Sequence, residues 1–165
     1  MGRSSHRVAL YFQQLIQSHN RGTAEILDLY TYQFPIFDER LKFQKNPAPA
    51  TVEFADKIRK ADAVILVTPE YNGSYTAAVK NVVDLLNDEW QNKPIVISTV
   101  SAGDFAGSQA VVALQFILWK LKARVVSQSF QVARVQASFD ETGKPSDGAG
   151  TDKRALAVLD ALLKP

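Results

Sequence analysis

Ala63-Val64-Ile65-Leu66-Val67 is a run of five apolar residues with no polar position between them. A strand with one wet face alternates. An unbroken, β-branched run is how a strand buried on both faces of a parallel sheet reads. The next eight residues, Pro69-Glu70-Tyr71-Asn72-Gly73-Ser74-Tyr75-Thr76, are polar, aromatic and turn-rich. After them Val79, Val82, Val83 and Leu86 recur at i, i+3, i+4 and i+7, the pattern of a helix with one apolar face. The octapeptide is therefore predicted to be a loop at the carboxyl end of a central strand. Pro69 ends ladder bonding because it has no N–H, Asn72-Gly73 is a turn pair, and Ser74 or Thr76 can cap the helix. Open α/β sheets bind ligands in the crevice outside the carboxyl ends of their strands. Position alone makes this loop a candidate site.

The flanking chain repeats the alternation. Residues 7–18 read as a helix with Val8, Tyr11, Phe12 and Leu15 on one face, capped by Ser4 or Ser5 and closed by Gly22. Residues 24–29 read as a short strand, 30–49 as loop, and 51–60 as a helix capped near Thr51. Beyond the central loop come a helix over 76–86, a strand over 93–100, a loop at 101–108 and a helix over 109–122 with Val111, Leu114, Leu118 and Leu121 on one side. Residues 124–135 are strand-like with a break near 127–129, 140–150 form a polar tract, and a last helix runs from 151 to 163. The predicted order α-β-α-β-α-β-α-β-α means a parallel sheet with helices on both faces, in a single domain spanning 1–165. Such a fold normally begins with a strand, and this chain begins with a helix.

Composition narrows the function. The 19 Lys and Arg form no basic run and the net charge is +2, so nothing asks for nucleic acid. Without cysteine there is no thiolate nucleophile or thiolate metal site, and two histidines, His6 and His19, make a histidine-built metal centre improbable. No run approaches the ~20 apolar residues of a membrane helix, and the start lacks a signal-type apolar core, so no membrane partner and a cytoplasmic location are expected.

In the 69–76 loop, Asn72 can pair with the donor and acceptor edge of a planar heterocycle and Tyr71 or Tyr75 can lie against its face. The plainer reading is a surface turn whose tyrosines pack on the next helix. In the 101–108 loop, Gly103 and Gly107 with Ser101 and Ser108 can turn backbone N–H groups toward an anion or a ring edge. The spacing is neither GxGxxG nor GxxxxGK, and a tight strand-to-helix turn explains those glycines equally well. Glu70 and Asp84 are too far apart along the helix for an acid/base pair. Lys80 reads as a solvated or capping lysine and Asp38-Glu39 as loop solvation. His6 at a helix start can assist an anion, although a plain surface histidine is the simpler reading, and Ser4 with His6 lacks the third group a hydrolase needs. No catalytic residue and no metal site is assigned.

The segment 69–84, from Pro69-Glu70-Tyr71-Asn72-Gly73 through Lys80-Asn81 to Asp84, resembles the signature of the NADPH-dependent FMN reductase family. That family contains azo-, quinone- and chromate-reducing flavoproteins with the flavodoxin-like fold and sheet order 2-1-3-4-5. Ser101, Gly103 and Gly107 resemble its second flavin loop, and the Phe139-Asp140-Glu141-Thr142-Gly143 tract also has the family's look. The resemblance implies FMN as cofactor, with Pro69, Glu70, Tyr71, Asn72 and Gly73 along one side of the ring and Ser101, Gly103 and Gly107 along the other. It implies NAD(P)H as co-substrate, hydride transfer to flavin N5, a small-molecule electron acceptor (quinone, azo compound, flavin or metal oxyanion), and a homodimer or homotetramer. The flavin would supply the chemistry and the protein its placement.

Three departures stand out. Thr76 occupies a position where many relatives have proline, and Gly107-Ser108 one where many have paired glycines. Relatives also open with a strand and a Gly-Ser-x-Arg loop around the FMN phosphate; here only Gly2-Arg3-Ser4-Ser5 stands in that place. Arg3, Ser4 and Ser5 at a helix amino end can still hold a phosphate. The strand before them would lie between 24–29 and 63–68, and without it two edges are left unpaired. Two explanations are a start truncated by roughly a dozen residues, about one strand and a turn, and direct pairing of 24–29 with 63–68. The rival functions are a flavodoxin-like module without FMN or activity, acting through oligomerisation or binding, and an electron-carrying flavodoxin. The second of these is usually strongly acidic, unlike this chain.

Overall fold

The protein is described by a computed structural model over residues 3–164; Gly2, expected in the phosphate loop, lies outside the described residues. Along the chain run α1 (Ser4–Ser18), α2 (Leu29–Tyr32), α3 (Pro49–Lys60), β1 (Val64–Pro69), α4 (Ala77–Leu85), β2 (Pro94–Val100), α5 (Ser108–Lys120), β3 (Arg124–Val125), β4 (Phe130–Val132), α6 (Val135–Ser138) and α7 (Gly148–Leu162). Short 3-10 turns at Leu41–Phe43 and Asp88–Trp90 complete them.

All described strand pairs are parallel. β2 is central: it pairs with β1 from Val64↔Ile95 to Pro69↔Val100, and on its other side with β3 and then β4. β3 and β4 are one interrupted strand, broken where the Ser127-Gln128-Ser129 tract breaks the apolar pattern. Alternate β2 side chains feed two cores. Val96 and Val100 join Val8, Tyr11, Phe12 and Leu15 of α1, Phe130, and Val158, Leu159 and Leu162 of α7. Ile95 and Ile97 join Phe54 and Ile58 of α3, Val79, Val82 and Val83 of α4, and Leu114 and Leu118 of α5. Helices thus cover both faces, as the unalternating strands require.

Five expectations need correction. Residues 24–29 are not a strand. The segment is extended but joins no ladder, and no backbone–backbone hydrogen bond among the described residues involves 22–27. Its apolar residues have no neighbouring strand to fit, and strand formation depends on that neighbour more than on propensity. For the same reason it does not close onto 63–68: among the described residues β1 bonds to β2 alone. Helix α1 already includes Ser4 and Ser5; its cap is Arg3 and carries no side-chain cap bond. Finally, α3 begins at Pro49, preset for a first helical position, and α7 begins at Gly148 because Asp147 accepts from Gly150 N and caps it earlier than Thr151. Thr76 caps α4 as expected, accepting from Val79 N at 3.4 Å.

Candidate functional site

Both loops leave the sheet at its carboxyl end. After β1, the Glu70 N–H still bonds Val100 O at 3.1 Å. The chain then reverses: Tyr71 and Ser74 exchange both backbone bonds, at 2.9 and 3.0 Å. Asn72 and Gly73 lie between them at φ 52° and 75°. Two successive positive φ values define a type I′ turn, and Asn-Gly is the dipeptide that accepts it most cheaply. Tyr71 is two-thirds exposed at the tip. Tyr75 turns in against the α4–α5 core.

The 101–107 loop is held from two sides. The Ser101 N–H bonds Val132 O at 3.0 Å, Ser101 O accepts from Val135 N, and Gly103 O accepts from Arg134 N, so the loop is sewn to the β4–α6 corner. Before α5, Ala106 and Gly107 are both left-handed, at φ 53° and 77°. Thr99 Oγ1 donates to Ala106 O at 2.7 Å and holds that conformation. At Gly107 a Cβ would stand 2.7 Å from Thr99 Cβ, so glycine is required there by space as well as by φ.

Glu70 joins the two loops. Its Oε2 accepts from Gln109 N and Ala110 N, each at 3.1 Å, which places a carboxylate on the first turn of α5. The rest of the 69–84 motif is structural. Asn81 accepts from Phe37 N at 2.6 Å and donates to Pro35 O at 2.7 Å, strapping the 35–37 loop to α4. Lys80 pairs with Asp84 one helical turn on.

The third contributor is the amino end of α1. Arg3, Ser4 and Ser5 meet Pro69, Glu70, Tyr71 and Ser101 on one cavity of about 1790 Å³. Asn72, Gly73, Gly103 and Gly107 do not line it; they shape the turns that carry the residues which do. Nothing stands within 4 Å of a Cβ position at Gly103, so its backbone is open to an approaching group. The donor set fits an anion at this end: a guanidinium, two hydroxyls and the Ser4 and Ser5 N–H groups at the start of a 15-residue helix, which bond no partner among the described residues. Above it, backbone and apolar walls suit a flat ring better than a second charge.

Two lining residues, Gln136 and Asp28, had no signal in the sequence, and both stand beside residues that did. Gln136 Nε2 reaches Ser4 Oγ at 3.3 Å from α6, and His6 Nδ1 lies 3.7 Å from Asp28 Oδ2. Asp28 itself pairs with Arg3, whose guanidinium also covers the Tyr30 ring at 4.8 Å. Burial pushes the Asp28 carboxyl up, but the Arg3 hydrogen bond, the Tyr30 N–H and the Arg3 and His6 charges together hold it below the usual carboxylate range. Only contact across 25 residues could have revealed this pairing. Among the described residues no three His, Asp or Glu side chains come together as metal ligands.

The sequence profile described as NADPH-dependent FMN reductase matches residues 1–137. Among curated proteins, a quinone reductase of Escherichia coli strain K12 is 36% identical over 125 residues, covering 72% of this chain and 66% of its own length. The subunit CrdA of an NADH:(hydroxy)cinnamate reductase from Vibrio ruber is 32% identical, covering 98% of this chain and 78% of its own. Among solved structures, FerB, a flavoenzyme NAD(P)H:(acceptor) oxidoreductase from Paracoccus denitrificans, superposes with a TM-score of 0.78 at 20% identity, over 96% of this chain and 88% of that one. That likeness fixes the fold as flavodoxin-like.

Proposed function

This chain belongs to the NADPH-dependent FMN reductase family, and from that premise we propose that it is an FMN-dependent NAD(P)H oxidoreductase acting on a small-molecule electron acceptor. One observation carries the reading: three separate stretches, at 3–5, 69–71 and 101, meet on one cavity at the carboxyl end of a parallel sheet, with Arg3, Ser4 and Ser5 grouped at the amino end of α1. In this reading 1–165 form one domain. Arg3, Ser4 and Ser5 hold the FMN phosphate with the first-turn N–H groups of α1. Pro69, Glu70 and Tyr71 flank the ring on one side and Ser101 with the open Gly103 backbone on the other. Asn72, Gly73 and Gly107 set the turns that keep those walls in place. When bound, FMN would supply the redox chemistry between NAD(P)H and the acceptor, with its N5 as the hydride-accepting atom. The protein's own part is to orient the bound groups and to exclude water. Quinones are the favoured acceptors, since the E. coli relative carries that name. A cytoplasmic location suits a reaction that consumes reduced nicotinamide, and no helix of the described residues is long and apolar enough to cross a membrane.

Self-association is part of the proposal. On the outer face of α5, Val112, Phe116 and Trp119 are 68%, 61% and 69% exposed, at spacings of four and three that form one stripe. Phe105, 83% exposed, stands on the adjoining loop. An exposed apolar stripe on a helix of a three-layer domain marks an interface, and a second copy presenting the same stripe would cover it. The test of function is an FMN titration of the purified protein by flavin fluorescence and thermal shift, followed by NADPH and NADH oxidation with a quinone. Expected are saturable binding, a raised melting temperature and acceptor-dependent turnover. A protein that FMN neither quenches nor stabilises refutes the proposal.

A further inference from the structure

The corner after β4 joins the two ends of the candidate site. Arg134 N and Val135 N bond Gly103 O and Ser101 O at 3.1 and 3.0 Å, which ties α6 to the loop on one side of the cavity. The chain beyond α6 grips α1. Arg7 Nη1 donates to Phe139 O at 2.7 Å, and Gln14 Nε2 to Thr142 O at 3.0 Å. Gly143 lies so close to that helix that a Cβ there would stand 2.8 Å from Arg7 O and from Tyr11 N. Residues 134–143 thus form a strut, fixed at one end to the 101–103 loop and at the other to the helix that opens the anion end. Val135 and Gln136 are its residues on the cavity. Val135 is buried, so the polar group the strut brings to the site is the Gln136 amide.

What that amide does follows from which atoms can donate. Gln136 Nε2 can only donate, so Ser4 Oγ is the acceptor of the 3.3 Å bond between them. A serine hydroxyl that accepts from an amide keeps its own hydrogen for another partner. Among the described residues the Ser4 hydroxyl makes no second bond, so its hydrogen is unspent. The Ser4 and Ser5 N–H groups at the same helix start are unspent too. A neutral donor is the group this arrangement needs at 136. A carboxylate would take the Ser4 hydrogen and set a like charge beside an anion, and a cation would bind the anion itself.

We propose that Gln136 is a positioning residue: its amide holds Ser4 as a hydrogen-bond donor, so that the site favours a flavin carrying a phosphate over the same flavin without one. This role rests on the FMN reading and extends it to selectivity among flavins. Gln136 acts through Ser4, and Ser4 touches the ligand.

The test is a set of dissociation constants from flavin fluorescence, for FMN and for riboflavin. The proteins are wild type, Gln136→Met, Gln136→Glu, Ser4→Ala and the double variant Ser4→Ala with Gln136→Met. Methionine keeps the length of the side chain and removes the donor. Gln136→Met should weaken FMN about threefold to tenfold, the range of one hydrogen bond between neutral groups, and leave riboflavin within about twofold. Gln136→Glu should weaken FMN by more than about tenfold. In the Ser4→Ala background the methionine change should cost less than about twofold, because the group it acts through is gone. Equal weakening of both flavins by Gln136→Met, with a lower melting temperature in the absence of flavin, overturns the role, since the residue would then support the fold. A full methionine penalty in the Ser4→Ala background also overturns it, since Gln136 would then meet the ligand directly. Wild type that binds FMN no better than Gln136→Met removes the role and leaves the FMN reading standing, whereas wild type that binds no FMN removes both.

Discussion

Replacing Glu70 by alanine tests whether the loop bearing the recognisable motif is held by α5. Glu70 Oε2 accepts from Gln109 N and Ala110 N at 3.1 Å each, in the first turn of a helix whose cap residue, Gly107, has no side chain to offer. Loss of a capping acceptor costs about 0.5–2 kcal/mol, and loss of a negative charge at a helix amino terminus a further ~0.3–1 kcal/mol at a partly exposed site. The sum for Glu70→Ala is roughly 1–3 kcal/mol. For a domain of this size that lowers the melting temperature by about 2–4 °C per kcal/mol. Glu70→Gln keeps an oxygen in place and gives up the charge, so its loss should be confined to about 0.3–1 kcal/mol. Urea unfolding of the three proteins gives the ordering wild type, then Glu70→Gln, then Glu70→Ala, with an unchanged m-value. Amide exchange at Gln109 and Ala110 should quicken in the alanine variant. Equal stability of the two variants would refute the capping role, because it would leave the accepting oxygen with no measurable part.

Three other outcomes follow from particular contacts. Gly107→Ala places a Cβ at φ 77° and 2.7 Å from Thr99 Cβ, and should cost about 2–4 kcal/mol in urea unfolding; a loss below about 1 kcal/mol contradicts the packing described. Asp28 has its folded carboxyl held below its ordinary value of 3.8, so its contribution is complete above that pH and disappears as pH falls through the lower folded value. Wild type should therefore lose more stability than Asp28→Asn on acidification below pH 3.8, and parallel pH profiles would rule out the Arg3 pairing in solution. Trp119→Lys combined with Phe116→Glu breaks the exposed stripe of α5 and should yield monomers in sedimentation velocity without loss of helicity. An unchanged oligomer would place the interface elsewhere.

The part of the fold organised around β2 was legible because its signals are local. The unalternating runs at 63–67 and 94–97 demand cover on both faces, and the helices that supply it carry their own 3.6-residue periodicity. Asn72-Gly73 announced its turn because few other pairs accept two positive φ values. Residues 24–29 misled for the opposite reason. Their apolar pattern is that of a strand, but a strand exists only with a neighbour, and none of the described strands lies beside them. The site was legible as a set of loops and not as a set of contacts. Nothing near Glu70 says that its carboxylate reaches a helix 39 residues on, or that Arg3 finds Asp28.

These two long-range contacts make the ends of the cavity unlike in stiffness, and that difference bears on where affinity for an FMN-like ligand would arise. The ring walls are fixed before any ligand arrives: Glu70 binds one loop to α5, Thr99 holds Ala106, and Ser101 and Gly103 are bonded into the β4–α6 corner. Their geometry adds no ordering cost on binding. At the anion end Arg3 is engaged with Asp28, and its side chain is 42% exposed. An ion pair that open is worth about 0–1 kcal/mol, whereas an arginine–phosphate contact is charge-assisted and bidentate in its best geometry. Exchanging Asp28 for a phosphate is therefore downhill for Arg3, while Asp28 is left facing His6 at 3.7 Å as its remaining charged neighbour. The ring end then decides what shape is accepted, and the Arg3–Asp28 exchange decides how tightly. It follows that Asp28→Asn should tighten FMN binding, by releasing Arg3 and removing a carboxylate from beside the phosphate. Weaker binding by that variant would mean that Asp28 positions Arg3 for the ligand and does not compete for it.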